Sequence, residues 1–261
     1  SFPTRRSSDL GNLMKNRKYV WLLSLAMLAS CKSHLGISNI KPYENTKITA
    51  ELTEDQEMVK TIIPYKKSME SQMNEKISHT SVALTKEGDD CSMGKVLVDY
   101  TYDAAADWAK NNNLPRIDAA VMNIGGIRTT FAPGDILLKH IYEVMPFENE
   151  IVVIAMKGSD LQGLFDYYLK TQVNNPVSRL TIETKQGKIT KALINGEVPI
   201  ADKTYYIATT DYLALGGDRM WFFSKGKMIS TGLKLREVFI ESFRKNPEVS
   251  VPTDIRLRFN N

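Results

Sequence analysis

Apolar positions along this chain follow two periods, and the places where one gives way to the other mark its elements. From Glu54 to Lys76 the residues Met58, Ile62, Tyr65, Met69 and Met73 recur every three or four positions, one stripe of an α-helix. Thr53 followed by Gln56 has capping-box spacing at its start, and Pro64 is expected to kink or split it. Beyond this helix, strand and helix patterns alternate. Ser81–Thr85 reads as a strand, and Ser92 as the cap of a helix reaching Lys110, with Val96, Leu97, Tyr100, Ala104, Ala105 and Trp108 inward. Asp118–Met122 is a short buried strand, Ile136–Val144 holds a helical turn, Ile151–Met156 is a strand and Ser159–Lys170 a helix. Arg179–Thr184 and Lys188–Ile194 flank Gln186-Gly187 as a hairpin. Tyr205–Thr209 reads as a strand, Thr231–Phe243 as a helix and Ile255–Phe259 as a closing strand. The class this predicts is α+β, a mixed β-sheet with packed helices.

The first thirty residues change the picture of where that domain starts. Ser1–Leu10 resembles the translation of a sequencing adaptor joined to a reading frame, so residues 1–13 are set aside from the fold, a natural N-terminal extension being the alternative. From Met14 the chain reads as a signal peptide over residues 14–30. Lys15, Arg17 and Lys18 precede the apolar run Tyr19–Leu28, which is about half the ~20 residues of a membrane span. Leu28-Ala29-Ser30-Cys31 resembles the lipobox of bacterial lipoproteins, which implies a lipidated Cys31 and an anchor in the cell envelope; an ordinary signal peptide with an incidental cysteine is the other reading. Residues 31–52 then form a tether, 53–76 a linker helix, and 77–261 the domain.

Charge and cysteine content narrow the function. The formal net charge is +4, but residues 1–30 hold five of the 34 basic residues and one of the 30 acidic ones, and without them the signs balance. That excess therefore gives no reason to expect nucleic acid as a partner. With Cys31 lipidated, Cys91 is the only remaining thiol, so stability rests on an apolar core rather than on a disulfide. No Walker loop, GxGxxG or HExxH occurs, and His34, His79 and His140 lack acidic neighbours at ligand spacing, so no metal site is expected in this chain.

Three glycine-marked or aromatic loops stand out. Asn123-Ile124-Gly125-Gly126-Ile127-Arg128 follows a strand, and its paired glycines let backbone approach a ligand while the Arg128 fork suits a phosphate or carboxylate. Met145-Pro146-Phe147-Glu148-Asn149 offers a ring and an amide; Asp211-Tyr212-Leu213-Ala214-Leu215-Gly216-Gly217-Asp218 adds a second ring and a carboxylate. Each alone has an ordinary structural explanation: a common turn, a core phenylalanine, a structural arginine. Together they suit a flat ring bearing hydroxyls and a charged group.

At these residues the chain resembles the C-terminal domain of 5′-nucleotidases and UDP-sugar hydrolases, over about residues 53–261. The motifs are Asn-x-Gly-Gly-Ile-Arg, Val-Met-Pro-Phe-x-Asn and Leu-Ala-x-Gly-Gly-Asp, in that order. Ile151–Leu164 resembles the family's strand and Thr-Gly-x-x-Leu helix, with Lys157 in place of the threonine, and Asp55–Lys67 resembles its interdomain helix. The resemblance implies that Phe147 and Tyr212 sandwich a nucleobase, Asp218 holds the ribose hydroxyls, Asn123 and Asn149 contact base or ribose, and Arg128 faces the phosphate. Glu87 stands where the family often carries a further arginine, before the turn matched by Asp90–Gly94, leaving Lys86 as a point-charge substitute there. The family's Gly-Asn-His-Glu/Asp metallophosphatase motif is absent. The expectation is thus a nucleotide-binding subunit with no cofactor of its own and a separate metallophosphatase chain carrying the divalent metals. A non-enzymatic nucleotide-binding lipoprotein is the alternative.

Overall fold

A computed structural model describes residues 37, 39–45 and 47–260. The adaptor-like stretch, the signal peptide, Cys31 and His34 lie outside the described residues. The chain divides into two units, up to Glu54 and from Asp55 onward. The described residues of the first are exposed and form no helix or strand. No helix among the described residues is long and apolar enough to cross a membrane.

The second unit opens with α1 (Gln56–Met73), which passes through Pro64 as one continuous helix. Its cap differs from expectation. Asp55, not Thr53, takes the N-cap, its carboxylate accepting from the amides of Glu57 and Met58 at 2.9 and 3.2 Å. The stripe of Met58, Ile62, Tyr65 and Met69 is exposed, while Met73 packs against the core.

The elements that follow, in chain order, are β1 (Lys76–Thr80), α2 (Ser92–Asn111), β2 (Ala119–Val121), β3 (Gly134–Leu137), α3 (Leu138–Val144), β4 (Glu150–Lys157) and α4 (Gln162–Thr171). Then come β5 (Val177–Ser178), β6 (Leu180–Lys185), β7 (Lys188–Ile194), β8 (Thr204–Thr210), α5 (Asp211–Ala214), β9 (Lys227–Lys234), α6 (Leu235–Lys245) and β10 (Leu257–Asn260). The central sheet has the order β5-β2-β8-β4-β9, with β2 and β8 parallel and the other pairs antiparallel. Two small sheets accompany it, β1-β3 and β10-β6-β7.

The central sheet is buried on both faces, which is why β4 reads as an unbroken apolar run. Ile151 and Val153 point into a core with α2 and α6, whereas Val152, Ile154 and Met156 point into a second core with α4 and the β6–β7 hairpin. The hairpin turn has positive φ at both Gln186 and Gly187, the combination a two-residue type I′ connection demands.

Four further expectations need correction. The first strand lies at Lys76–Thr80 rather than Ser81–Thr85, with Leu84 making only an isolated bridge to Phe131. Its buried side carries Ser78 and Thr80, whose hydroxyls donate to the carbonyls of Asn246 and Val82, so burial there is not written in apolar letters. Ser92 is the first residue of α2, not its cap. The cap position is Cys91, and the Ser92 hydroxyl accepts from the Thr85 amide at 2.8 Å. Residues 231–234 belong to strand β9, where Thr231 donates to the Ile151 carbonyl and Gly232 turns at φ +75 before α6 begins. The final strand pairs with β6 in a small sheet instead of closing the central one.

Candidate functional site

Three loops meet around one cavity of about 360 Å³. Asn123, Arg128, Phe147, Asn149, Tyr212 and Asp218 all line it, with Gly125 and Gly126. Lys86, expected near a phosphate, does not. Its ammonium donates to the Ile127 carbonyl at 2.5 Å, a bond to the first loop made from outside the lining.

The first loop leaves β2 through Asn123 into a short 3-10 turn over Ile124–Gly126. Besides Lys86, two backbone amides tie it down: that of Ile124 donates to Asn175 Oδ1 at 2.9 Å, and that of Arg128 to the Val144 carbonyl at 2.9 Å. Asn123 is only 7% exposed, yet among the described residues its carboxamide has no hydrogen-bond partner. Its amide atoms are reached from the cavity it lines, which leaves them available to a polar ligand group. Gly126 makes that orientation possible, since a Cβ there would sit 2.9 Å from Asn123 Oδ1. Arg128 is exposed, donates to the Gly125 carbonyl at 3.2 Å and lies 5.9 Å from the Phe147 ring centroid. It has no carboxylate partner among the described residues.

The second loop is pinned from α6. Arg236 pairs with Glu148 and lies over the Tyr142 ring, and the Leu235 amide donates to the Asn149 carbonyl at 2.9 Å. Met145 fills the core in this loop, which leaves Phe147 40% exposed at the cavity. The third loop is anchored by buried Leu213 and by Thr210, whose hydroxyl caps α5. Its two glycines have separate reasons. Gly216 turns at φ +93 with the Trp221 ring where a Cβ would stand, and a Cβ on Gly217 would stand 2.5 Å from the Tyr212 ring. The Tyr212 hydroxyl donates to Asp218 Oδ1 at 2.9 Å and accepts from the Asp218 amide at 3.3 Å. The bond to Asp218 holds the phenol above its ordinary pKa, so it remains a donor at neutral pH. Asp218 lines the cavity, and its second carboxylate oxygen makes no hydrogen bond among the described residues.

Substituting Gly217 by alanine is expected to push the Tyr212 ring aside by about 1 Å, the difference between that approach and an ordinary carbon contact. A crystal structure of the variant checks this; an unmoved ring would show that the backbone yields instead.

The cavity lining contains one carboxylate and no histidine, and among the described residues no group of three His, Cys, Asp or Glu could hold a metal ion. These residues therefore do not fit a catalytic metal. His79 pairs with Glu248 at 2.7 Å, and His140 accepts from the Leu137 amide. A larger groove of about 850 Å³ elsewhere is walled by Asp99, Asp254 and Arg256, which already satisfy one another. Sequence reasoning missed Asn175, which supports the first loop from a stretch with no motif; its only signal is the Asn-Asn-Pro run at 174–176.

Comparison with known proteins gives the same region a family context. Residues 72–225 match the model of the 5′-nucleotidase, C-terminal domain. Protein UshA of Escherichia coli (strain K12) is 29% identical over 67% of this chain and 32% of its own length. A 5′-nucleotidase of Vibrio vulnificus is 27% identical over 78% of this chain and 37% of its own. The chain thus spans about a third of the length of these curated relatives. Among solved structures, the 5′-nucleotidase precursor from Thermus thermophilus shares the fold with a TM-score of 0.65, at 22% identity over 80% of this chain and 44% of that one.

Proposed function

The chain belongs to the 5′-nucleotidase C-terminal domain family, and from that premise we propose that its three-loop cavity binds a nucleotide. Phe147 and Tyr212 hold the base between them, the second carboxylate oxygen of Asp218 accepts from the ribose hydroxyls, Asn123 and Asn149 bond base or ribose, and Arg128 forks onto the phosphate. The observation that carries this reading is Asn123, whose carboxamide makes no hydrogen bond among the described residues, in the cavity lined by both rings and both charges.

The division of labour is part of the proposal. This domain supplies grip and orientation, and a separate metallophosphatase chain supplies divalent metals, which polarise the phosphate and activate water when bound there. What supports the division is the donor set of the cavity, suited to hydroxyls and an anion and not to a metal. The proposed setting is the cell envelope, with Cys31 lipidated; radiolabelled palmitate incorporated into the wild-type chain but not into Cys31→Ser is the expected result.

Calorimetric titration of the purified chain with nucleosides and their 5′-monophosphates tests the binding role. The expected outcome is saturable binding, tighter for the monophosphate, with no release of phosphate when Mn²⁺ is added. Absence of binding across the panel would remove the assignment, and turnover by the chain alone would overturn the division of labour. Binding without any activity gained from a metallophosphatase partner would leave a nucleotide-binding lipoprotein.

A further inference from the structure

The geometry points to Asn175 as a positioning residue that holds two walls of the cavity in register, linking the Ile124–Gly126 turn to the loop that carries Tyr212 and Asp218. Asn175 is 1% exposed and lines no part of the cavity. Each of its polar groups is engaged. Oδ1 accepts from the Ile124 amide at 2.9 Å, Nδ2 donates to the Tyr167 hydroxyl at 3.0 Å, its carbonyl accepts from the Tyr168 hydroxyl at 2.9 Å, and its amide donates to the Val173 carbonyl at 2.8 Å. One carboxamide thus ties the first loop to helix α4.

Tyr167 carries the link onward. Its ring packs against Phe222 with centroids 5.9 Å apart, and Phe222 lies in the 3-10 segment Trp221–Lys225 that follows the Asp218 turn. Burial first, and then the nearby Asp218 carboxylate, push the Tyr167 phenol up, while the Asn175 bond lowers it. The phenol is therefore within electrostatic reach of the third loop and hydrogen-bonded to the residue that fixes the first. Neighbours keep Asn175 from drifting: Asn174 donates to the carbonyls of Lys86 and Gly88, and the Pro176 carbonyl accepts from the Met122 amide at the end of β2. Without the carboxamide the Ile124 amide has no partner, and the turn presenting Asn123 and Arg128 loses its hydrogen-bonded link to helix α4.

The ligand arm of the test rests on the nucleotide reading; the other arm does not. Tyr167→Phe keeps the ring and its contact with Phe222 and removes only the hydroxyl, so it is the variant that spares the fold. Asn175→Ala is the stronger one. Amide hydrogen exchange without ligand should show residues 123–128 exchanging about threefold or more faster in Tyr167→Phe, although the missing oxygen lies on α4, with the melting temperature lowered by only a few degrees. Adenosine 5′-monophosphate should bind about tenfold more weakly to either variant. Faster exchange confined to residues 163–175, with 123–128 unchanged, would overturn the role of Asn175. A wild-type chain that fails to bind the nucleotide would instead count against the nucleotide reading, and exchange alone would then decide the positioning role.

Discussion

Truncating Phe147 to alanine is expected to weaken nucleoside binding by one to two orders of magnitude while leaving the fold intact. Stacking a base on an aromatic ring is worth about 1–3 kcal/mol, and each ~1.4 kcal/mol is a factor of ten in affinity. The ring is 40% exposed, so its removal opens no core cavity. The loop that presents it is fixed by groups the substitution does not touch, the Arg236–Glu148 pair and the bond from the Leu235 amide to the Asn149 carbonyl. Phe147→Leu separates two contributions, since it keeps apolar contact and loses the π-face, and its affinity should fall between wild type and alanine. Arg128→Lys should behave differently. It retains charge but loses the fork, so the preference for monophosphate over nucleoside should shrink while nucleoside affinity stays near wild type. Calorimetry on the three variants reads all of this, and an unchanged nucleoside affinity in Phe147→Ala would remove the stacking role.

The elements most legible in the sequence are those whose physics is local. The Ile151–Met156 run could be read because both faces of β4 are buried, and the Gln186-Gly187 turn because its backbone demands positive φ at two successive residues. The paired glycines were legible for the same reason: Gly217 sits beside a ring and Gly126 beside an amide, places where a Cβ does not fit. What stayed hidden depends on partners distant in sequence. Strand β1 buries Ser78, a hydroxyl that finds the Asn246 carbonyl across 168 positions. Thr231 and Gly232 belong to a strand because β4 lies beside them, whereas a threonine ahead of an apolar run reads locally as the start of a helix. Lys86 looked like a charge awaiting a phosphate, but the fold brings it to the Ile127 carbonyl. Asn175 offered only the Asn-Asn-Pro run as a signal, since its role is defined by a turn 51 positions earlier.

The C-terminal stretch shows how far such distant pairing reaches, and Arg256→Met is expected to cost about 3–5 kcal/mol of stability. The Arg256 side chain is 7% exposed. Its two terminal nitrogens donate to the two oxygens of Asp99 on α2 at 2.8 Å each, one of them also to the Val177 carbonyl at 3.0 Å, and Nε donates to Asp254 at 2.8 Å. Burial alone would pull the guanidinium pKa down, but the bonds to Asp99 and Asp254 more than offset it and keep the group charged. Removing the guanidinium leaves Asp99 without its main partner beside the Ser178 hydroxyl, which is the source of most of the loss. For a domain of this size the melting temperature should fall by roughly 10 °C. Adding Asp99→Leu should recover part of it, since the orphaned carboxylate goes too. The pH dependence has a definite sign. Hydrogen bonds from Arg256 lower the Asp254 pKa below its unfolded value, so that contribution is present above about pH 4 and lost as pH falls through the folded pKa. The gap between wild type and Arg256→Met should therefore narrow in acid, though only slightly, because Asp254 is 60% exposed and its pairing is screened. Melting curves at pH 7 and pH 3.5 measure both effects, and a variant that melts within about 2 °C of wild type at pH 7 would show that water replaces the guanidinium at no net cost.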